Sequence, residues 1–580
     1  MPGKALVPCR KSARCEPLRK TVKLERTRTV SPPAVVKIAR VVDEATGTAF
    51  DRFEAKSDLG QPVQADVPCE DSEAPQKVLR ELRKHNAALT TKASLKAIQE
   101  AIDAAPGHHV RHAAQTGWYP GGPDVFVRPT HVVGLLPGVE ELLPPRPKKR
   151  EKRQIVFGNA GTIEGWRDLA EHARWSTRAT LMIGAAFAGP LLRILGMQSF
   201  GVILYGPSKS GKSTAQVAGG SAIGLRNEEA LPTFEATTSG HYQIAGQCND
   251  SLFPMNEVGS LGTRAYEKLG PLMYALSGGK DRARHDVSVY ASDAAVSGWA
   301  LVYAMSSEHS AAALAAQCGM TRGGDAWRCF DVPAVHHGHA TIFDRRPRHL
   351  TDKAFARLSR ERMAEIRKLC EANHGVAFDA YLRGLIELGE NLKPRVEAYV
   401  EEFVRSLRLR DADGGVHHAA RNFGVIYAGL RLAMDMKLLK RPWRPISVKR
   451  AVASCFRDGL KVSRLRDTTL EEAKAILHQR LQDTALPRKE DLQPNRDVGF
   501  RTTEGADELV AIRSTEFVRW FAGKPAHLHA LLAWLDEQGA LRKSHERKRL
   551  TSRSYEWAVT FPRAPGFKGR CIVLRLPIPK

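Results

Sequence analysis

No CxxC pair occurs anywhere in the 580 residues, and the nine cysteines are dispersed from Cys9 to Cys571. That argues against a zinc finger or thioredoxin-like site, and an odd, scattered set reads as reduced thiols in a cytoplasmic protein. Long apolar runs are also missing. The best, Ala179 to Met197, is broken by Gly189, Pro190 and Arg193, so it predicts a buried helix and not a membrane anchor. The basic stretch Met1–Arg40 contains no apolar segment, which argues against a secretory signal. Acidic residues are in short supply. Against 88 Lys+Arg stand 63 Asp+Glu, leaving a formal charge of +25. A chain this basic needs a partner of opposite sign, nucleic acid first and an anionic membrane surface second.

What remains is an ordinary globular mixture, 43% hydrophobic and 26% charged, long enough for several cores. Residues 1–34 read as a basic flexible tail. Residues 35–143 read as a mixed α+β domain, with strand-like pieces at Ala34–Val42 and Val125–Val133 and helical ones at Glu73–Asn86 and Ser94–Ala104. The proline-rich, basic 144–154 is a linker. Residues 155–350 alternate helix and strand, as an α/β sheet requires. Residues 351–484 are helical, with apolar spacings of three and four. In 485–580 a helix (Pro525–Gln538), a turn at Gly539 and strand-like Ala540–Lys543, Tyr555–Phe561 and Arg570–Leu576 have the order of a winged-helix module.

One motif carries specific chemistry. Gly206-Pro207-Ser208-Lys209-Ser210-Gly211-Lys212-Ser213 matches the phosphate-binding P-loop in full. It follows the apolar run Phe200–Tyr205 and precedes a helix start at Thr214, so strand, loop and helix come in the order the chemistry needs. Glycines let backbone N–H groups turn towards phosphate oxygens, and the helix N-terminus adds positive potential. Lys212 brings a full charge to the β- and γ-phosphates, Ser213 a hydroxyl for Mg²⁺, and Thr214 a contact to the α-phosphate. The expected ligands are therefore ATP and Mg²⁺.

Hydrolysis also needs a carboxylate at the end of a neighbouring strand. Ser251–Glu257 is the candidate: Asn256 takes the place where an aspartate that helps hold Mg²⁺ is usual, and Glu257 would polarise the attacking water. Asn256 lacks the aspartate's charge. Pro254 is awkward for a central strand, because proline removes a ladder donor. The apolar run from Trp299 ends in Ser306-Ser307, a polar tip that can sense the γ-phosphate; Ser306 or Ser307 fills that role. Between these strands lies Gly278–Arg284, whose Lys280, Arg282 and Arg284 can touch DNA phosphates, reach a neighbour's nucleotide, or simply be solvated. Arg328, Arg345 and Arg346 are candidate trans-acting fingers. His336-His337-Gly338-His339 lacks a Cys or carboxylate at ligand spacing, which argues against a metal site.

Taken together, Ala186–Leu192, Gly206–Thr214, Gly278–Ala283, Ser306–Glu308, Gly117–Tyr119, Phe126-Val127, Arg421–Gly429, Trp443 and Cys455-Phe456 resemble an uncharacterised ATPase family described as a domain of unknown function. It occurs in bacterial phages, plasmids and integrative elements, often beside primase-like modules. The resemblance covers roughly residues 35–480. It implies a P-loop NTPase (AAA+-like) core similar to minichromosome-maintenance helicases, a homo-oligomer of hexamer type with inter-subunit sites, single-stranded or forked DNA as partner, and primase or other replication proteins nearby. Asn256 departs from the family's usual Asp. The sequence thus predicts an ATP-dependent DNA motor, a helicase serving a mobile element. The alternative is a nucleotide-gated DNA-binding or assembly protein with little hydrolysis. A small-molecule kinase fits neither the length nor the charge.

Overall fold

Phe200–Tyr205 is buried on both faces, as a near-continuous apolar strand inside a parallel sheet must be. In the computed structural model it sits third in a four-stranded sheet ordered Leu252–Met255, Val302–Ser307, Phe200–Tyr205, Cys329–Pro333, every pair parallel. The structure describes residues 35–89, 91–120, 122–146, 155–262, 264–279, 298–318, 320, 322, 325–336, 339–347, 349–409, 414–505, 507–542, 564 and 566–577. A side chain at Gly201 would place its Cβ 1.9 Å from the Tyr303 ring, so glycine lets that ring cross the P-loop strand. Pro254 is accommodated because its strand lies at an edge of the sheet, where a missing donor leaves no ladder partner unpaired.

The run around Ala179–Met197 forms a helix, Thr177–Ile194, buried from Thr177 through Leu192. Ser176 caps it by accepting the Ala179 N–H at 3.1 Å. The carbonyl at Pro190 takes the Trp118 indole N–H at 2.8 Å. No helix among the described residues is long and apolar enough to cross a membrane.

The chain divides into two compact units. The first holds residues 35–41 and 49–109. Its strands Thr48–Lys56 and Pro62–Pro68 pair antiparallel, and its helices Pro75–Lys84 and Thr91–Asp103 follow. Phe53, Val67, Val78, Leu82 and Ile98 form its core. The second holds residues 42–48 and everything described from 110 onward.

The expected boundary at residue 143 therefore lies too late. The short antiparallel strands Gly117–Trp118, Val125–Val127 and Val132–Gly134 send Trp118, Phe126 and Val133 into the core of the P-loop sheet. The helices after residue 350 share that core, so 155–350 and 351–484 are joined by continuous apolar packing.

A buried ionic node fastens the small strands. The Arg128 guanidinium is 1% exposed. It pairs with Asp379 and donates to the Ile223 carbonyl at 2.6 Å, in the last turn of the P-loop helix, Lys212–Ile223. Asn159 also donates to Asp379, and His131 lies 3.0 Å from it. Removing one member of a buried pair strands the other, so Arg128→Ala should cost about 3–5 kcal/mol. Equilibrium unfolding of the intact chain measures this, and a loss under about 1 kcal/mol would show that the node does not fasten the strands.

In the tail, Gly499–Glu504, Asp507–Arg513 and Cys571–Leu576 form an antiparallel sheet. Helices Ser514–Trp520 and Pro525–Glu537 lie between the last two strands. The predicted helix and final strand are present, and of the predicted strand Ala540–Lys543 only a bridge from Leu541 to Leu574 forms within the described residues. Tyr555–Phe561, the N-terminal tail 1–34 and most of the basic linker fall outside the described residues.

Candidate nucleotide site

The loop after Tyr205 turns through backbone conformations that favour glycine: φ is +155° at Gly206, +60° at Lys209 and +101° at Gly211. Gly211 then caps the helix Lys212–Ile223, which carries Ser213 and Thr214 in its first turn. The Ser210 carbonyl accepts the Ile342 N–H at 2.9 Å, tying the loop to the chain beyond the last strand of the sheet. Pro207 and Ser208 complete the loop between them.

Lys212 is 6% exposed. Its Nζ donates to the carbonyls of Gly206 and Pro207 at 2.8 and 2.9 Å, which curls the ammonium over the loop. Burial lowers its pKa, and the charges of Glu257 and Glu308 oppose that shift. Two hydroxyls in the same turn, Ser210 Oγ and Thr214 Oγ1, are buried without a hydrogen-bond partner. Orphaned buried hydroxyls beside a curled lysine and a helix N-terminus fit a triphosphate, whose oxygens would satisfy them.

Three elements meet on one oxygen. Asn256 Oδ1 accepts from Ser306 Oγ at 2.7 Å and from Ser213 Oγ at 3.3 Å. Ser306 Oγ in turn accepts the Glu257 N–H at 2.9 Å. The strand tip, the edge strand and the P-loop helix are thus joined at the place where Mg²⁺ would sit, with Ser213 and Asn256 as the residues to hold it or its water. Ser307 faces elsewhere: its hydroxyl accepts the His309 N–H at 3.2 Å, and its carbonyl accepts the Gly206 N–H at 3.1 Å. Of the two serines, Ser306 faces the site.

Glu257 is exposed and holds φ +66°, an uncommon conformation for a residue with a side chain. Its carboxylate accepts the Gly259 N–H at 3.3 Å. Strained residues of this kind concentrate at functional sites.

Gln216 was not among the expected residues. Fully buried, it donates to the carbonyls of Met255 and Ala304 at 2.8 and 3.1 Å. One amide thus ties together the two strands that lead to Asn256 and Ser306. Nothing in the sequence sets it apart, because the same helix also carries Ser213, Thr214 and Ser221.

The other candidates lie apart. Arg345 is spent on the carbonyls of Arg174 and Ser447, at 2.8 and 2.7 Å. Arg346 donates to Leu350 O and pairs with Asp352. Arg328 precedes the strand Cys329–Pro333, at the end of the sheet away from the P-loop, with its guanidinium 4.7 Å from the Tyr274 ring centre. Lys280, Arg282 and Arg284 lie outside the described residues; of the residues that flank them, Trp299 N–H donates to Gly279 O at 2.9 Å. His336 pairs with Asp458 at 3.0 Å, and no group of three or more potential ligands for a metal occurs among the described residues.

A family model described as "Domain of unknown function (DUF927)" matches residues 23–291. No curated protein matches. Among solved structures, one titled "SCCmec type IV Cch - active helicase" superposes with a TM-score of 0.55 at 14% identity, covering 94% of this chain and 93% of that one. A second, titled "The A form apo structure of NrS-1 C terminal region-CTR", reaches a TM-score of only 0.23 at 8% identity, covering 68% of this chain and 87% of that one. The chain therefore shares its fold, over nearly its whole length, with the structure titled an active helicase.

Proposed function

We propose that the chain is an ATP-dependent DNA motor, a helicase acting in replication or transfer of a mobile genetic element. The observation that carries this reading is the meeting of Ser213, Asn256 and Ser306 beside a complete P-loop. The charge of +25 supplies the electrostatics for DNA, and the fold likeness to a structure titled an active helicase agrees. Bound Mg²⁺ would neutralise phosphate charge. Lys212 and the loop amides bind and orient the triphosphate, Ser306 fixes the backbone of Glu257, and Glu257 takes a proton from the attacking water.

In this reading the core is AAA+-like and works as a homo-oligomer, a hexamer, in the cytoplasm, beside a primase or other replication proteins. Arg328 is the favoured trans-acting finger, because Arg345 and Arg346 are committed to contacts within their own chain. Lys280, Arg282 and Arg284 contact the DNA backbone. The tail serves as a winged-helix module. Its second helix, Pro525–Glu537, contains no Lys or Arg and packs on Ala311–Gln317, so DNA contact falls to the basic residues from Arg542 onward.

The test is the ATPase rate with and without single-stranded DNA, on protein whose oligomeric mass is measured. Stimulation by DNA is expected. Binding should weaken by about two orders of magnitude or more between 50 and 200 mM salt, because phosphate contacts release counterions. Binding that is flat with salt would overturn the role of the basic surplus.

Asn256 favours one second reading, ATP as a structural ligand for assembly. Its mark is slow turnover together with ATP-dependent DNA binding.

A further inference from the structure

We infer that Glu308 is a second carboxylate of the nucleotide site, placed to supply on the metal side of the triphosphate the negative charge that Asn256 lacks. This rests on the Mg-ATP reading above.

Register places it. Ser307 is the last residue of its strand and pairs with Tyr205, the last residue before the P-loop. The Gly206 N–H donates to the Ser307 carbonyl at 3.1 Å, so Glu308 emerges one peptide beyond a direct bond to the first P-loop glycine. On its other side, Met255 pairs with Met305, which brings Asn256 and Glu257 level with the serine tip. Glu308 thus leaves the sheet between the phosphate loop and the strand that ends in Asn256.

The carboxylate is exposed. The charges of Glu257 and Glu308 both oppose the burial that lowers the Lys212 pKa. Glu257 is bound to the Gly259 N–H and shaped by its strained backbone. An independent sign that a ligand belongs here is the pair of buried hydroxyls without partners, Ser210 and Thr214.

The chemistry follows from charge. A hard divalent cation held by one serine hydroxyl and waters depends on outer carboxylates to orient those waters and offset its charge. An aspartate at position 256 would serve. With asparagine there, the acid that strand register brings beside the phosphate loop, and that is not needed for the attacking water, is Glu308. It acts as a positioning residue for the metal and its water.

The experiment titrates a fluorescent ATP analogue onto the full chain, first in EDTA and then with increasing Mg²⁺. Glu308→Gln should leave binding in EDTA unchanged or slightly tighter, and should raise the Mg²⁺ concentration at half-effect by about tenfold or more. Adding Asn256→Asp to that variant should bring the half-point back towards the unsubstituted value. A merely structural role would predict weaker binding in EDTA as well, without rescue. A half-point unmoved by Glu308→Gln, in a protein whose unsubstituted form binds in an Mg²⁺-dependent way, overturns the inference and leaves the nucleotide site standing. Absence of saturable binding by the folded, unsubstituted chain overturns both.

Discussion

Lys212→Ala should bind MgATP at least about a hundredfold more weakly and lose DNA-stimulated turnover altogether. Taking one charge from a buried, hydrogen-bonded charge pair costs about 2–5 kcal/mol, and a hundredfold corresponds to about 2.7 kcal/mol. Here the ammonium is the only side-chain cation held over the described loop by bonds of 2.8 and 2.9 Å. The carbonyls of Gly206 and Pro207 would be left to water, which the opening of the site allows, so the fold should persist. Circular dichroism and an unchanged melting transition check that. DNA-stimulated ATPase that survives the substitution would mean the phosphate site lies elsewhere.

Glu257→Gln should separate binding from chemistry. Turnover should fall by about two to four orders of magnitude, the range for a positioned general base, while ATP affinity stays within about threefold. The substituted amide oxygen can still accept from the Gly259 N–H, and Glu257 N–H keeps its bond to Ser306, so the local backbone has little reason to move. Rapid-quench turnover beside equilibrium binding measures the two effects on one preparation. Turnover within about threefold of the unsubstituted protein would remove Glu257 from the reaction and direct attention to other acids at the strand tips.

How much of this was legible beforehand depended on sequence distance. The P-loop could be read outright, because its conformational demands fall on consecutive residues. The strand ends carrying Asn256 and Ser306 could be placed because apolar runs stop at polar tips. Pro254 looked like an objection only because a sequence does not say which strand is at the edge. Gln216 was invisible for a related reason: its partners, Met255 and Ala304, are set by sheet order. The boundary drawn at residue 143 failed because Trp118 and Phe126 find their core in elements far downstream. The Trp118 N–H donates to Asp250, and the Arg128 guanidinium reaches Asp379. Among Arg328, Arg345 and Arg346 local pattern offered no choice; only the folded chain shows Arg345 bonded to the carbonyls of Arg174 and Ser447 and Arg346 to Leu350 and Asp352.

The P-loop helix is gripped at both ends. Its first turn carries Lys212, Ser213 and Thr214, and its final carbonyl, at Ile223, is held by Arg128, which also clasps Asp379. In the motor reading, a helix anchored in this way would carry movement from one end to the other. An axial slide imposed at the phosphate end would arrive at the far end, through Arg128 and Asp379, as a tug on the small strands and on the helix Val376–Leu388. The stroke of such a machine would be limited by the stiffness of one guanidinium clasp.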